Sequence, residues 1–279
     1  KIKKRMSATT VFSCAGVDKK TFIDYTQKEN RTYKDWNNSD DSEWKQQTQG
    51  KEDDLNTPFL NHEFTKAAED GIISEENKTI AGSWSSVSEA GEATNLNLAH
   101  MKGYDCTNVL DITQAEIEGR KKALEALNGL KNYVPGFEKA KLRNFGMTVG
   151  VRDTRKIIGK YNLTEHDVLN QARFDDSIGI FPEFIDGYNT IIIPTTGRYF
   201  QIPFGCLVPI EIDNLLVAGR CVAGDNMSHA AMRNMMACTV TGQGAGVASA
   251  LSIKEDVTVK DVNIEKLQTE LKKQNVRID

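Results

Sequence analysis

Apolar positions along this chain fall in short, separated runs, and each run carries its own punctuation. Residues 9–15 read TTVFSCA, β-branched and apolar, and stop at Gly16; this predicts a strand within residues 6–17. Residues 27–56 hold few aliphatics and read as a polar surface excursion, with Trp36 and Trp44 as its only large anchors. A short helix is expected over 58–68 after Pro58. Residues 72–98 read as short strands and loops, with turn signals at Gly82-Ser83-Trp84 and over 89–95. Thr113 and Glu116 have capping-box spacing, and Ile117, Leu124, Leu127 and Leu130 then form one apolar face, so a helix is expected from there to about Gly129. Thr164 and Asp167 predict another helix start, with Leu163 stapling against Val168. Ile191–Ile193 and Tyr199–Ile202 read as strands, and Leu215–Ala218 as a buried strand ending at Gly219. A long helix follows over 229–251 with Ser228 as cap. A tail helix is capped by Asp261, with Ile264, Leu267 and Leu271 on its buried face. No internal repeat or Gly/Ser linker interrupts the pattern.

Composition narrows the class. The chain has 279 residues, 39% of them apolar, which is enough for a packed core in one large domain or two smaller ones. No apolar run approaches ~20 residues, so no membrane-spanning helix is expected. The 35 basic and 39 acidic side chains leave a net charge of −4, against the basic face that nucleic-acid binding requires. Five cysteines (Cys14, Cys106, Cys206, Cys221, Cys238) include no Cys-x-x-Cys pair, so neither a disulfide framework nor a zinc site is expected. Reduced thiols point to the cytoplasm or another reducing soluble compartment. The four histidines also lack metal-ligand spacing. The chain opens on Lys1 without a signal-peptide pattern and reads like the interior of a longer sequence.

The chemistry concentrates in residues 214–251, NLLVAGRCVAGDNMSHAAMRNMMACTVTGQGAGVASAL. Here a strand meets a tight glycine turn, a short loop and a helix poor in bulky residues. Gly219 and Gly224 let the backbone approach a ligand closely. A helix start near Ser228 and His229 offers free N–H groups and a positive dipole end, suited to a developing anion. The same strand–glycine–helix pattern also occurs in folds with no ligand there. Gly242, Gly244 and Gly246 are not a dinucleotide fingerprint and read as a packing face.

These residues resemble the C-terminal signature of FAD-dependent oxidoreductases of the fumarate reductase/succinate dehydrogenase-like superfamily. GVRDTRKIIGKY over 150–161 is similar to that family's Gly-Val-Arg-Glu-Thr-Arg-Arg-Ile motif, and YFQIPFGCLVP over 199–209 to its Tyr-x-Ile-Pro-Tyr-x-x-Leu-x-Pro motif. The match is good over 95–275 and weaker over 6–25. The resemblance implies an α/β protein: an α+β substrate domain over 1–205, the C-terminal part of a Rossmann-like FAD-binding domain over 206–253, and a C-terminal helix over 254–279. Such proteins grip the FAD pyrophosphate with a Gly-x-Gly-x-x-Gly segment, and none is found in these 279 residues. A separate chain, a cleaved precursor or a missing N-terminal part would each account for this. The strand at 215–218 needs that sheet to bury its faces.

The resemblance also assigns candidate residues. Ala218, Gly219, Arg220 and Cys221 border the ribityl chain and isoalloxazine of FAD. Met227 and Ser228, at the helix start, face the ring's O2 edge. Asp225 holds ribityl hydroxyls or is a plain loop aspartate. Gly242 belongs to the smooth helix face. Arg152 and Arg155 hold a substrate carboxylate or a flavin-adjacent anion, or pair with Asp153 or Asp175. Arg233 reaches ring or substrate, or sits in a buried ion pair. His229 accepts a substrate proton, or is a structural hydrogen-bonder; His100 and Tyr199 are weaker candidates of the same kind. Cys221 and Cys206 are positions for covalent flavin or plain thiols, and the methionines at 227, 232, 235 and 236 read as core. The expected activity is hydride transfer between a small polar organic substrate and flavin N5, in an oligomer with a polypeptide carrying the dinucleotide-binding half. The alternative is a non-catalytic structural subunit that keeps the fold and binds no flavin.

Overall fold

A computed structural model describes residues 5–29, 60–78, 86–188, 190–192 and 197–279. Most of the polar excursion, with Trp36 and Trp44, lies outside the described residues, as do Pro58, Trp84 and Ile193. The chain is a mixed α/β protein of two compact units, Lys1–Val151 and Arg152–Asp279. The division falls after Val151, whereas the sequence pattern places one after residue 205.

In the first unit, β1 (Ala8–Ala15) is a central strand. It pairs antiparallel with β3 (Glu92–Met101) on one side and β4 (Lys141–Phe145) on the other, and β2 (Ser86–Val87) extends the sheet beyond β3. α1 (Lys19–Glu29) begins at Asp18, whose carboxylate accepts the Thr21 N–H at 3.0 Å. α2 (Asn61–Glu69) covers most of the expected 58–68 helix.

α3 (Val109–Tyr133) corrects two expectations. It is capped by Asn108, which accepts the Leu110 N–H, and it runs four residues past Gly129. Thr113 and Glu116 lie inside it. The Thr113 hydroxyl donates to the Val109 carbonyl, and the Glu116 carboxylate accepts the Val149 N–H. Its buried face is Ala115, Gly119, Ala123, Ala126, Leu127, Gly129 and Leu130, while Ile117 and Leu124 are 46% and 47% exposed. Close approach to the sheet explains the choice. A Cβ at Gly119 would lie 2.0 Å from Thr10 Oγ1 and 2.8 Å from Met101 Cε, so no side chain fits at that position; Leu127 and Leu130 are buried farther along, as expected.

The second unit holds α4 (Glu165–Leu169), β5 (Ser177–Pro182), β6 (Ile185–Gly187), β7 (Thr190–Ile192), β8 (Tyr199–Pro203), α5 (Asn226–Met232), α6 (Met235–Glu255) and α7 (Ile264–Lys273). β5 pairs with β8 and β6 with β7, both antiparallel. Every strand pair among the described residues is antiparallel, so those residues do not themselves form a Rossmann-like parallel sheet. The Thr164/Asp167 capping box forms as expected, and Leu163 and Val168 are fully buried beside it. α6 packs against β5, with Gly244 seated on Ile178. α7 is capped by Asn263 rather than Asp261, whose carboxylate instead accepts the Thr258 hydroxyl at 2.6 Å; Leu267 and Leu271 are buried as expected. The chain end is pinned by Ser177 Oγ and Gln201 Nε2, which donate to the Ile278 carbonyl at 2.9 and 2.8 Å.

Two further expectations are corrected. Leu215–Ala218 forms neither a strand nor a buried segment: Leu215 is exposed, and Val217 N–H to Leu207 O is its one backbone bond to another segment among the described residues. No strand among the described residues of this unit pairs with it. The single helix expected over 229–251 is two helices. Asp225 caps α5, the chain extends at Asn234 (ψ 146°), and α6 begins at Met235. Ser228 is buried within α5 and donates to the Leu163 carbonyl at 2.7 Å.

Candidate functional site

The glycine turn stands where expected. Gly219 opens a 3₁₀ turn, Gly219–Cys221, with φ of 72°, a left-handed conformation that favours glycine. Its N–H donates to Thr241 Oγ1 at 3.0 Å, fixing the turn on α6. A Cβ at Gly219 would meet only Cys238 Sγ, at 4.0 Å; at Gly242 and Gly246 it would meet nothing within 4 Å. Beside the turn, α6 begins without a side-chain cap. The Asn234 amide donates back to the Ala230 and Ala231 carbonyls instead. Met235 and Met236, expected in the core, are 86% and 70% exposed, as Ile253 is at 84% farther along. The open glycine turn thus packs on α6, a 21-residue helix that begins without a side-chain cap and has two open glycines farther along it.

The start of α5 is closed by comparison. Asp225 Oδ1 accepts the Ser228 N–H and Oδ2 the Glu165 N–H, both at 2.8 Å. This carboxylate already holds the helix's positive end, whereas the α6 start has no side-chain cap. Met227 packs against the unit's core. Because Asp225 caps α5 and also accepts the Glu165 N–H at the start of α4, Asp225→Ala should cost about 1–2 kcal/mol in urea unfolding and leave flavin content unchanged. Lost flavin would restore Asp225 to the ribityl role.

A polar cluster sits immediately upstream of the α6 start. His229, on α5, is 2% exposed. Its Nε2 lies 3.0 Å from the Arg152 carbonyl oxygen, which fixes Nε2 as the protonated nitrogen and leaves Nδ1 as acceptor; Nδ1 is buried with no hydrogen-bond partner among the described residues. Burial pushes the His229 pKa down from 6.5; the Arg152 carbonyl and Asp153 oppose this, and Lys156 and Arg233 reinforce it. Asp153 Oδ1 lies 3.9 Å from His229 Nε2, and the same carboxylate accepts the Tyr188 hydroxyl at 2.6 Å and Lys156 Nζ at 3.2 Å. Despite burial, the Tyr188 bond, Lys156 and His229 together hold the Asp153 pKa below the usual carboxylate value. Arg233, one turn beyond His229, grips Asp186 through its carboxylate at 2.7 Å and its carbonyl. The Arg152 guanidinium is brought down by burial and by the neighbouring Arg233 charge, with Asp186 opposing. Three cations thus face two carboxylates around a neutral, buried imidazole.

The structure brings Arg152, His229 and Arg233 together and leaves other expected residues out. Arg155 is exposed. Tyr199 is sandwiched between Arg173 and Arg277, 4.1 and 5.0 Å from its ring centroid, and Arg173 donates to its carbonyl. His100, in the first unit, meets the Asn97 carbonyl. Arg220 and Cys221 are exposed on the turn, and Cys206 is buried. Sequence reasoning missed Tyr188, Asp186 and Lys156. Lys156, three residues after Asp153, carried a weak spacing signal; Asp186 and Tyr188, on β6 and in the turn after it, carried none.

No helix among the described residues is long and apolar enough to cross a membrane, and no group of histidine, cysteine or acidic residues among them could hold a metal ion. A family model described as FAD dependent oxidoreductase matches residues 2–271. Neither a curated protein nor a solved structure gave a match.

Proposed function

Because the chain belongs to the FAD-dependent oxidoreductase family, we propose that its second unit holds the flavin end of FAD against a buried substrate-handling cluster. FAD is the cofactor of the family, and when bound it supplies two-electron hydride chemistry at N5. The residues present fit it. The cradle at Gly219, Gly242 and Gly246 is open where side chains would intrude, and the uncapped α6 start offers N–H groups to the electron-rich edge of the ring. Ala218, Gly219, Arg220 and Cys221 would border it.

The observation that carries the reading is adjacency along one short segment. His229 and Arg233 close α5, and α6 opens two residues after Arg233. In this arrangement Arg152 and Arg233 orient an anionic group of a small polar substrate, with Asp186 fixing the fork of Arg233. His229 receives the substrate proton at Nδ1 while the Arg152 carbonyl holds Nε2.

The exposed apolar side chains Ile210, Ile212, Leu215, Met235, Met236 and Ile253 support a partner polypeptide carrying the dinucleotide-binding half, which would bury them. On this reading the chain alone retains no flavin and is inactive. The test is visible absorbance of the protein as isolated from its source, with mass analysis of co-purifying chains. Flavin bands together with a chain containing Gly-x-Gly-x-x-Gly are expected. A colourless preparation with that chain present would overturn the proposal.

A further inference from the structure

Three of the five cysteines are buried: Cys14, Cys106 and Cys206. Burial pushes the Cys14 thiol up to about 12 and the Cys206 thiol higher still, so neither presents a thiolate. The two remaining cysteines occupy facing elements at one place. Cys221 is exposed at the end of the glycine turn, and Cys238 is half-buried in the first turn of α6. The turn packs on α6 and is tied there by the Gly219–Thr241 bond. Cys238 Sγ lies 4.0 Å from the position a Gly219 Cβ would take, two residues before Cys221. The two thiols also lie within electrostatic range of each other.

We infer that Cys221 and Cys238 are an oxidation-responsive thiol pair, which a peroxide converts to an intramolecular disulfide across the glycine turn. The exposed Cys221 sulfur attacks one peroxide oxygen as the O–O bond breaks, giving a sulfenic acid; the departing hydroxide takes up the thiol's proton and leaves as water. The Cys238 thiolate then attacks the Cys221 sulfur. The S–S bond forms, the S–O bond breaks, and a second water leaves with the Cys238 proton. The two thiols lose two electrons and the peroxide gains them. Cys221 is exposed and meets the peroxide first, while Cys238 is half-buried and serves as the resolving thiol; burial also raises its pKa, against Arg220 and Arg233. The bond would clamp the turn to α6. It rests on the packing of the turn against α6 and on the exposure of Cys221, and not on the flavin reading.

The protein as isolated, treated with hydrogen peroxide and mapped as non-reduced peptides, should yield a Cys221–Cys238 linked pair that a thiol reductant removes. Cys14, Cys106 and Cys206 should stay alkylatable after unfolding. In Cys238→Ser, dimedone should trap Cys221 as sulfenic acid severalfold more than in the unaltered chain. Direct passage of Cys221 to the sulfinic acid with no linked peptide, equal trapping in both chains, or a link to any other cysteine would overturn the inference.

Discussion

Gly219→Val should leave the second unit folded and reduce its flavin content to background. The φ of 72° at this position costs a side-chain-bearing residue about 1–2 kcal/mol, and valine resists it most. That strain is small beside the roughly 5–15 kcal/mol that holds a domain together. Nor does the interior oppose a Cβ, because the nearest atom it meets is Cys238 Sγ at ordinary contact distance, 4.0 Å. The γ-methyl groups are the problem. They enter the open side of the turn, where the backbone has to approach the cofactor. Gly219→Ala carries the same backbone strain without those methyls and separates the two effects, so it should retain an intermediate share of flavin. The measurement is the flavin-to-protein absorbance ratio of each variant isolated in its assembly, with urea unfolding as the folding control. Stoichiometric flavin in the valine variant would remove the turn from the site.

Local rules carried the fold where one interaction decided it. Thr164 and Asp167 satisfy each other across three residues, and nothing distant competes, so their capping box was legible. TTVFSCA was legible as a strand because its β-branched run ends at a glycine in left-handed conformation. Distant partners decided the failures. Thr113 and Glu116 have capping-box spacing, yet a carbonyl one turn back and an amide at Val149 claim their side chains. Half of the apolar stripe on α3 held, at Leu127 and Leu130, while Ile117 and Leu124 are exposed because the helix turns Gly119 and its small residues to the sheet. Leu215–Ala218 has the composition of a buried strand, but burial needs neighbours that the unit's own strands do not supply.

The same distinction governs the site. Gly219 was readable because a sharp turn before a small-residue helix restricts residue choice. Arg152, His229 and Arg233 were readable as residue types, but their meeting depends on the fold, since position 152 and positions 229–233 are brought together by the packing of α5. Arg155 had the same sequence credentials as Arg152 and ended in solvent. The helix start read at residues 227–230 carries a side-chain cap, and the start of α6 does not. Asp225 and Ser228 are both good caps, and the stronger acceptor took α5 while the break at Asn234 left α6 open.

His229→Gln should lower kcat/KM by about 10²–10⁴-fold, the range supplied by a positioned acid–base group, and should abolish the acid limb of its pH profile. Glutamine can still donate an amide N–H to the Arg152 carbonyl, so the local geometry has a substitute, but it has no basic nitrogen to replace Nδ1. The sign of the pH effect follows from burial. The folded-state pKa lies below the unfolded 6.5, with Asp153 opposing and Lys156 and Arg233 reinforcing the shift. The base form therefore persists below pH 6.5, and the acid limb falls on the acid side of that value. Stability obeys the same linkage. Just below pH 6.5 the unfolded chain binds more protons at this residue than the folded chain, so the neutral imidazole's contribution is complete above that pH and is lost as pH falls through the folded pKa. Urea unfolding of the two proteins between about pH 5 and 8 reads this without a substrate: the acid-side decline should be shallower in His229→Gln. Flavin reduction under anaerobic conditions reads the catalytic arm once a substrate is in hand. A parallel stability decline would contradict the buried neutral imidazole. A retained acid limb would contradict His229 as the proton acceptor, leaving Arg152 and Arg233 to act on a substrate that loses its proton elsewhere.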